Sequence, residues 1–312
     1  MSLIVNGINV DELAAEDDAG YSLAKNGLTL IIDADGPAYR AAATVKTVPT
    51  GLRRFQSEIL EQIFLANCEM GEAFLTHESC TKAGRYTIKA TQPYQGQRSS
   101  SAKPPLLSQV REAAWLEGAL DEFDVHMEKV VEADDAMMML SYRLGPLGVI
   151  RSDDKDLRMT PHAYYDIKRG VVMPPDPFGE LWIEETPSGA QKLMGRSLKF
   201  FWAQMMMGDS ADHIKGLQKY KGKNIGLAGT FAVLDPLRDI EAVCNTVIDA
   251  YRDIDQNPLA EGWLLWMLRS PTDNVWHYFN ELPFSKENRR FIDDCVGRDW
   301  FRKPNEHDDV PF

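Results

Sequence analysis

The chain of 312 residues has only four cysteines, Cys68, Cys80, Cys244 and Cys295, and no CxxC pair among them. That spacing excludes a zinc ribbon and argues against a disulfide framework, so a reducing, cytoplasmic compartment is expected. No run approaches the ~20 apolar residues that cross a bilayer, and no membrane partner is expected. Met1–Val10 lack a basic residue and a long apolar stretch, so no signal peptide is expected. What the chain does hold, 44% hydrophobic and 26% charged residues, suffices for a sizeable core in one large domain or two packed ones.

A further absence is local. The net charge is −13, which taken alone speaks against a nucleic-acid partner. Yet Ser79–Arg111 contains no acid while carrying Lys82, Arg85, Lys89, Arg98, Lys103 and Arg111. Ile214–Leu234 again contains none while carrying Lys215, Lys219, Lys221 and Lys223. Either island alone reads equally well as a solvated face. Two of them in so acidic a chain point to a polyanion bound at two local sites.

The apolar pattern predicts a buried strand at 28–32, opened and closed by turn residues. Helices are expected at 38–44, after Gly36-Pro37, and at 52–71, with 49–51 as a loop. A strand is expected at 72–76, a loop at 91–105 and a helix at 106–123. A strand at 125–131, a Met-rich helix at 133–144 and a strand at 148–151 follow. Residues 170–196 read as a loop with a hairpin, 197–207 as a helix, and the remainder to Trp300 as mostly helical. Strands alternating with helices imply an α/β fold on a parallel sheet.

Four groups of acids fall just past expected strand ends, where such a sheet carries its active site. They are Asp33 and Asp35; Glu132, Asp134 and Asp135; Asp153, Asp154 and Asp156; and Asp209 and Asp212. The i, i+3 spacing of Glu132/Asp135 and Asp209/Asp212 places each pair on one helical face. Like charges so placed repel unless a cation neutralises them. Hard oxygen donors favour Mg2+ or Mn2+ over zinc, and two such ions can clamp the attacking and leaving oxygens of a phosphodiester. Singly, each group has a plainer reading, as a turn residue or a first helical turn favoured by the dipole. The two triple-Met runs read as core filling.

The ordered set resembles the 5′–3′ exonuclease/flap endonuclease family, its phage members and the N-terminal nuclease domain of bacterial DNA polymerase I in particular. The matching pieces run from about Leu28 to Leu234. They are Asp33-x-Asp35-Gly, Arg85-Tyr86 with Tyr94-x-x-x-Arg98, Glu132-Ala-Asp134-Asp135, Ser152-x-Asp154-Lys-Asp156 and Gly208-Asp209-x-x-Asp212-x-Ile214-x-Gly216. The resemblance implies a PIN-like parallel sheet flanked by helices, with a helix-three-turn-helix region that grips DNA. It divides the chain into an N-terminal extension (1–27), an α/β catalytic domain (28–204) with an arch at about 94–116, a helical region (205–302) and an acidic tail (303–312).

It further implies two divalent ions, Mg2+ or Mn2+. Asp33, Glu132, Asp134 and Asp135 would hold or support one, and Asp154, Asp156, Asp209 and Asp212 would serve the other. Arg85, Tyr94, Arg98 and Lys103 would act at the phosphate. Lys89, Lys215, Gly216, Lys219, Lys221, Gly222, Lys223 and Gly226 would grip the duplex, with K+ in the helix-three-turn-helix. The implied partner is DNA as a 5′ end, flap or duplex, with an RNA primer strand as a further substrate, in replication or repair and in the host cytoplasm if the chain is phage-encoded.

Three departures stand out, one being that the glycine-rich hairpin after Asp212 is longer and lacks the usual proline-glycine pattern. The motif lysine is Gln95, leaving Arg85, Lys89 or Lys103 to supply its charge, and the expected acid after the second strand is replaced by Thr76-His77-Glu78. A structure-specific DNA-binding protein with an impaired site is the alternative. A haloacid-dehalogenase-type phosphatase is disfavoured by Pro37, where that class needs Thr or a similar residue. The last residues, Asn305-Glu-His-Asp-Asp-Val-Pro-Phe312, resemble the acidic tip of single-stranded-DNA-binding proteins; the readings are docking on a replication-protein partner, folding back on the chain's own basic islands, or a solvated end.

Overall fold

The computed structural model describes residues 4–5, 8–9, 23–97, 103–186, 188–298 and 300. A two-residue hairpin pairs Ile4–Val5 with Ile8–Asn9. The main sheet contains β1 (Thr29–Asp33), β2 (Met70–Thr76), β3 (Phe123–Glu128), β4 (Gly148–Arg151), β5 (Ala163–Asp166) and β6 (Val171–Met173). Their spatial order is β3-β2-β1-β4-β5-β6, parallel except for β6. The protein is therefore a mixed α/β fold built on a mainly parallel sheet flanked by helices, as the alternation predicts.

Central strand β1 is fully buried at Leu30, Ile31 and Ile32, as a strand covered on both faces must be. Leu30 and Ile32 point to one core. There they meet α1 (Asp35–Ala43), α2 (Val48–Leu65) and α3 (Leu107–Glu117) through Ala38, Phe55, Ile59 and Val110. Ile31 points to the other face, against α4 (Ala133–Leu144) through Met137, Met138 and Leu140. Burying each of these larger side chains contributes about 1.5–3 kcal/mol.

A hairpin of β7 (Leu181–Glu185) and β8 (Gln191–Gly195) lies outside the main sheet. It leads into α5 (Ser197–Met207), the centre of the largest core, where Phe200, Phe201, Trp202 and Met205 are fully buried. Helices α6 (Leu227–Leu234), α7 (Ile240–Asp253), α8 (Pro258–Leu265), α9 (Val275–Asn280) and α10 (Lys286–Val296) complete the C-terminal third. The expected division at 204/205 falls inside α5.

Several boundaries differ from expectation for local reasons. Helix α2 begins at Val48 because Pro49 sits in its first turn, where no N–H is missed. It ends at Leu65, before Asn67 at φ 54°. Helix α3 stops at Gly118, and β3 then starts at Phe123. No described helix is long and apolar enough to cross a membrane.

Candidate active site

Strand order reverses at β1: the chain steps outward through β2 and β3, then returns to the opposite side of β1 as β4. A crevice opens outside the carboxyl ends of the strands at such a switch point. Asp33 ends β1, and the Ser152–Asp156 loop follows β4. Helix α4 packs on both strands and brings its first turn, with Glu132, Asp134 and Asp135, to the same end.

A small cleft of about 40 Å3 is lined by Glu132, Asp134, Asp135, Asp154, Asp156 and Asp212, among others. Three of the four acid groups thus share one wall-to-wall space, and Asp33 lies within their electrostatic reach. Ser152 Oγ donates to Asp33 Oδ2 at 2.8 Å, and the Asp35 amide donates to Asp33 Oδ1 at 3.1 Å. Even so, burial and the charge of Asp35 push the Asp33 carboxyl up to about 6. Burial, with Asp33 and Asp154 nearby, pushes Asp134 well above the usual carboxylate range. Among the described residues no group donates a hydrogen bond to Asp134.

The loop after β4 is built from successive side-chain turns. Ser152 Oγ accepts from Asp154 N, and Asp154 Oδ1 accepts from Asp156 N, both at 2.9 Å. Asp209 lies after α5, in a tight loop closed by backbone bonds with Ile214 of 2.8 and 2.7 Å. That loop needs glycine at both ends. Gly208 (φ 77°) and Gly216 (φ 64°) pack so closely that a Cβ on Gly216 would lie 2.4 Å from Gly208 N. Lys155 Nζ bridges Asp156 Oδ1 and Asp209 Oδ2 at 2.5 Å each. Burial opposes ionisation of Asp209, but Lys155 and hydrogen bonds hold its carboxyl below its ordinary value. Burial of Asp156 outweighs the same lysine and, with Asp154 and Asp209 adding repulsion, pushes it up to about 7.

The donor set is all oxygen and under-neutralised: Asp33, Asp134 and Asp156 are each held above their ordinary range by burial, with neighbouring carboxylates adding to it. A divalent, oxygen-seeking cation fits it. Among the described residues no three acidic, His or Cys side chains already stand in metal-binding geometry. Protein cations are interleaved with the acids: Lys155 between Asp156 and Asp209, and Lys82 against Glu132 at 2.8 Å.

Several of the expected site residues have structural partners in the fold. Glu132 and Asp135 form a capping box on α4, so their i, i+3 spacing serves the helix start. Asp135, 1% exposed, also takes both terminal nitrogens of Arg85 at 2.7 and 2.8 Å and the Leu268 amide at 3.1 Å. Its acceptors are occupied, which matches the supporting half of the expectation that it holds or supports an ion. Arg85 is buried and donates to Asp135, Glu132 and the Trp266 carbonyl. It pins α4 to the segment after α8 and cannot reach a phosphate without breaking those bonds.

Tyr94 is buried too, and its hydroxyl donates to Glu132 Oε2 at 2.9 Å. Lys103 and Glu78 line a different, larger cavity of about 290 Å3 beside α3, so Glu78 does not replace the missing acid. There Arg111 donates to Asp35 and to the Thr76 carbonyl. Arg98, part of the expected arch and the C-terminal tail lie outside the described residues.

Gly216 is buried. Its amide donates to Glu261 Oε2 at 3.0 Å and its carbonyl accepts from Gln256 at 2.8 Å, so it shapes the loop and does not face a phosphate. Lys219, Lys221, Gly222 and Lys223 are exposed on a turn that Tyr220 and Lys223 close with 2.8 and 3.1 Å bonds. Gly226 is exposed at the N-cap of α6, Lys89 is exposed, and Lys215 is half-buried. The pairing of Lys82 with Glu132 and of Lys155 with Asp156 and Asp209 was not foreseen from the sequence. Lys155 stood in plain view inside Ser152-Asp-Asp-Lys-Asp156.

No protein-family model matches the chain, and no curated protein matches it. Two solved structures are similar in fold. One is the D15 protein of T5 co-crystallized with metal ions, with TM-score 0.47 and 13% identity, covering 86% of this chain and 98% of that one. The other is the bacteriophage T5 flap endonuclease in a pseudo-enzyme–product complex with DNA and metal ions. It gives TM-score 0.46 and 13% identity over 86% of this chain and 97% of that one.

Proposed function

We propose that this chain is a metal-dependent 5′ nuclease that hydrolyses DNA phosphodiesters at 5′ ends and 5′ flaps, in replication, repair or primer removal. The observation that carries this reading is the convergence of acids from separate segments on one cleft at the switch point. Asp33, Asp134, Asp154 and Asp156 would hold divalent ions, with Asp209 and Asp212 bordering them. Bound there, such ions supply Lewis-acid polarisation and a water of lowered pKa.

The chain's own residues do the rest. Asp135 and Arg85 hold α4 in place. Lys155 keeps Asp156 and Asp209 together against their repulsion. The exposed 219–223 turn brings cations to the phosphate backbone, which positions a duplex without reading its sequence. The test is digestion of a 5′-labelled flap with Mg2+ and with EDTA. Products only with Mg2+ support the reading. Binding without cleavage under both conditions supports the DNA-binding alternative, which the lysines already paired with the acids would favour.

The basic turn gives a separate expectation. Replacing Lys219, Lys221 and Lys223 by Ala together should weaken duplex binding and lower the slope of log K against log salt by roughly 2–3 units, near 0.9 per phosphate contact. Binding measured from low to moderate salt checks it. An unchanged slope would place these lysines in solvent only.

A further inference from the structure

Beside the cleft, against its lining residue Glu132, stands a lysine that the reading above does not use. Lys82 Nζ lies 2.8 Å from Glu132 Oε1 and 2.7 Å from Gln95 Oε1. Its side chain is 13% exposed, and it sits 5.7 Å from the ring centres of both Tyr86 and Tyr94. Two aromatic faces thus hold the ammonium at the cleft.

The backbone is arranged to put it there. Lys82 (φ 51°) and Ala83 (φ 52°) are consecutive non-glycine residues in the left-handed region, and Gln95 (φ 52°) is a third nearby. Such conformations persist only where the surroundings impose them, and they gather at functional sites. Here the amides of Thr81 and Ala83 donate to the carbonyls of Lys129 and Val130 at 3.1 and 2.7 Å. The Lys82 turn is thereby tied to the segment that runs into Glu132.

The neighbouring cations are committed elsewhere. Arg85 is spent on Asp135 and the Trp266 carbonyl, and Lys155 on Asp156 and Asp209. Lys82 differs in having one carboxylate partner, Glu132, and one neutral amide partner, Gln95, where Arg85 and Lys155 each meet two carboxylates. Gln95 relays the contact onward, donating from Nε2 to Asp212 Oδ1 at 3.0 Å.

The geometry points to Lys82 as a catalytic residue that contacts a phosphate oxygen of the scissile DNA, its ammonium standing where a lysine at position 95 would place one. This assignment rests on the nuclease reading. Gln95 anchors Lys82 independently of Glu132, and an ammonium with three donors has one to spare for an anionic oxygen. Stabilising charge that develops on phosphate is worth about 10²–10³ in rate per donor.

The test is single-turnover cleavage of a labelled 5′ flap by wild type, Lys82→Met and the double variant Lys82→Met/Gln95→Lys. The single variant should be roughly 100-fold slower. The double variant should recover to within about tenfold, because Gln95 Oε1 already touches the ammonium position. Flap binding with Ca2+ supplies a readout other than turnover: Lys82→Met should lower the salt slope by about one unit. Melting temperature tracks folding, and Lys82→Gln takes the place of Lys82→Met if the latter melts much lower.

A single variant that cuts at the wild-type rate overturns the assignment, as does a folded double variant no faster than the single one. If wild type itself does not cut the flap with Mg2+, the nuclease reading fails and this assignment falls with it.

Discussion

Asp134→Asn should reduce flap cleavage by at least about 10³-fold while leaving flap binding within a few-fold of wild type. Asp134 sits in the first turn of α4 with no hydrogen-bond donor among the described residues, facing Asp33 and Asp154. Its free energy is poor as a bare carboxylate and improves only when a cation takes its charge. Asparagine removes that charge and leaves the volume. The capping box belongs to Glu132 and Asp135, so α4 should survive the change. The cationic turn at 219–223 is remote in sequence and untouched, which is why binding should persist. Cleavage and binding measured at one salt concentration decide it: a variant that cuts like wild type removes Asp134 from the ion site.

Arg85→Ala should act on the fold and not on the chemistry. The guanidinium and Asp135 form a buried pair at 2.7 and 2.8 Å, 4% and 1% exposed. Removing one partner of such a pair leaves an unpaired buried charge and typically costs about 3–5 kcal/mol. The Trp266 carbonyl also loses the Arg85 donor, and Glu132 loses one of its donors while keeping Tyr94 and Lys82. Chemical denaturation should show the loss. Asp135→Asn, which leaves Arg85 only the 3.3 Å contact with Glu132 to balance its buried charge, should also be destabilised. Unchanged stability with lost cleavage would return Arg85 to the phosphate.

The sequence made some of this legible for identifiable reasons. Strand β4 at 148–151 and helices α4 and α5 fall where periodicity and flanking glycines put them, because each is a long or strongly bounded apolar element. The acids were legible as groups, since strand ends in a parallel sheet point to one crevice. Their division of labour was not. Whether Asp135 binds an ion or an arginine depends on Arg85, 50 positions away. Strands β5 and β6 were missed because they are short, and Tyr164-Tyr165 reads as loop aromatics until β4 supplies a ladder. Gly216 illustrates the same limit: its φ and its contact with Gly208 explain the glycine without any phosphate. The bridging by Lys82 and Lys155 was not legible because Glu132 and Asp209 come from other segments.

The carboxyl shifts connect fold stability, pH and ion binding. Asp33 at about 6 and Asp156 at about 7 are raised above the ordinary 3.8. For raised carboxyls, the ion-free fold gains from protonation. That contribution is full below the unfolded value near 3.8 and is lost as pH rises through 6 to 7. A divalent ion competes with those same protons, so its affinity should run the other way.

Calorimetric titration of Mg2+ or Mn2+ into the protein without DNA, at pH 8 and at pH 5.5, is the most direct measurement of the central claim. The account predicts binding at pH 8 that weakens roughly 100-fold at pH 5.5, where Asp33 and Asp156 must each release a proton, and that Asp134→Asn largely abolishes. Absence of binding at pH 8, or binding equal at both pH values and indifferent to Asp134→Asn, would contradict it.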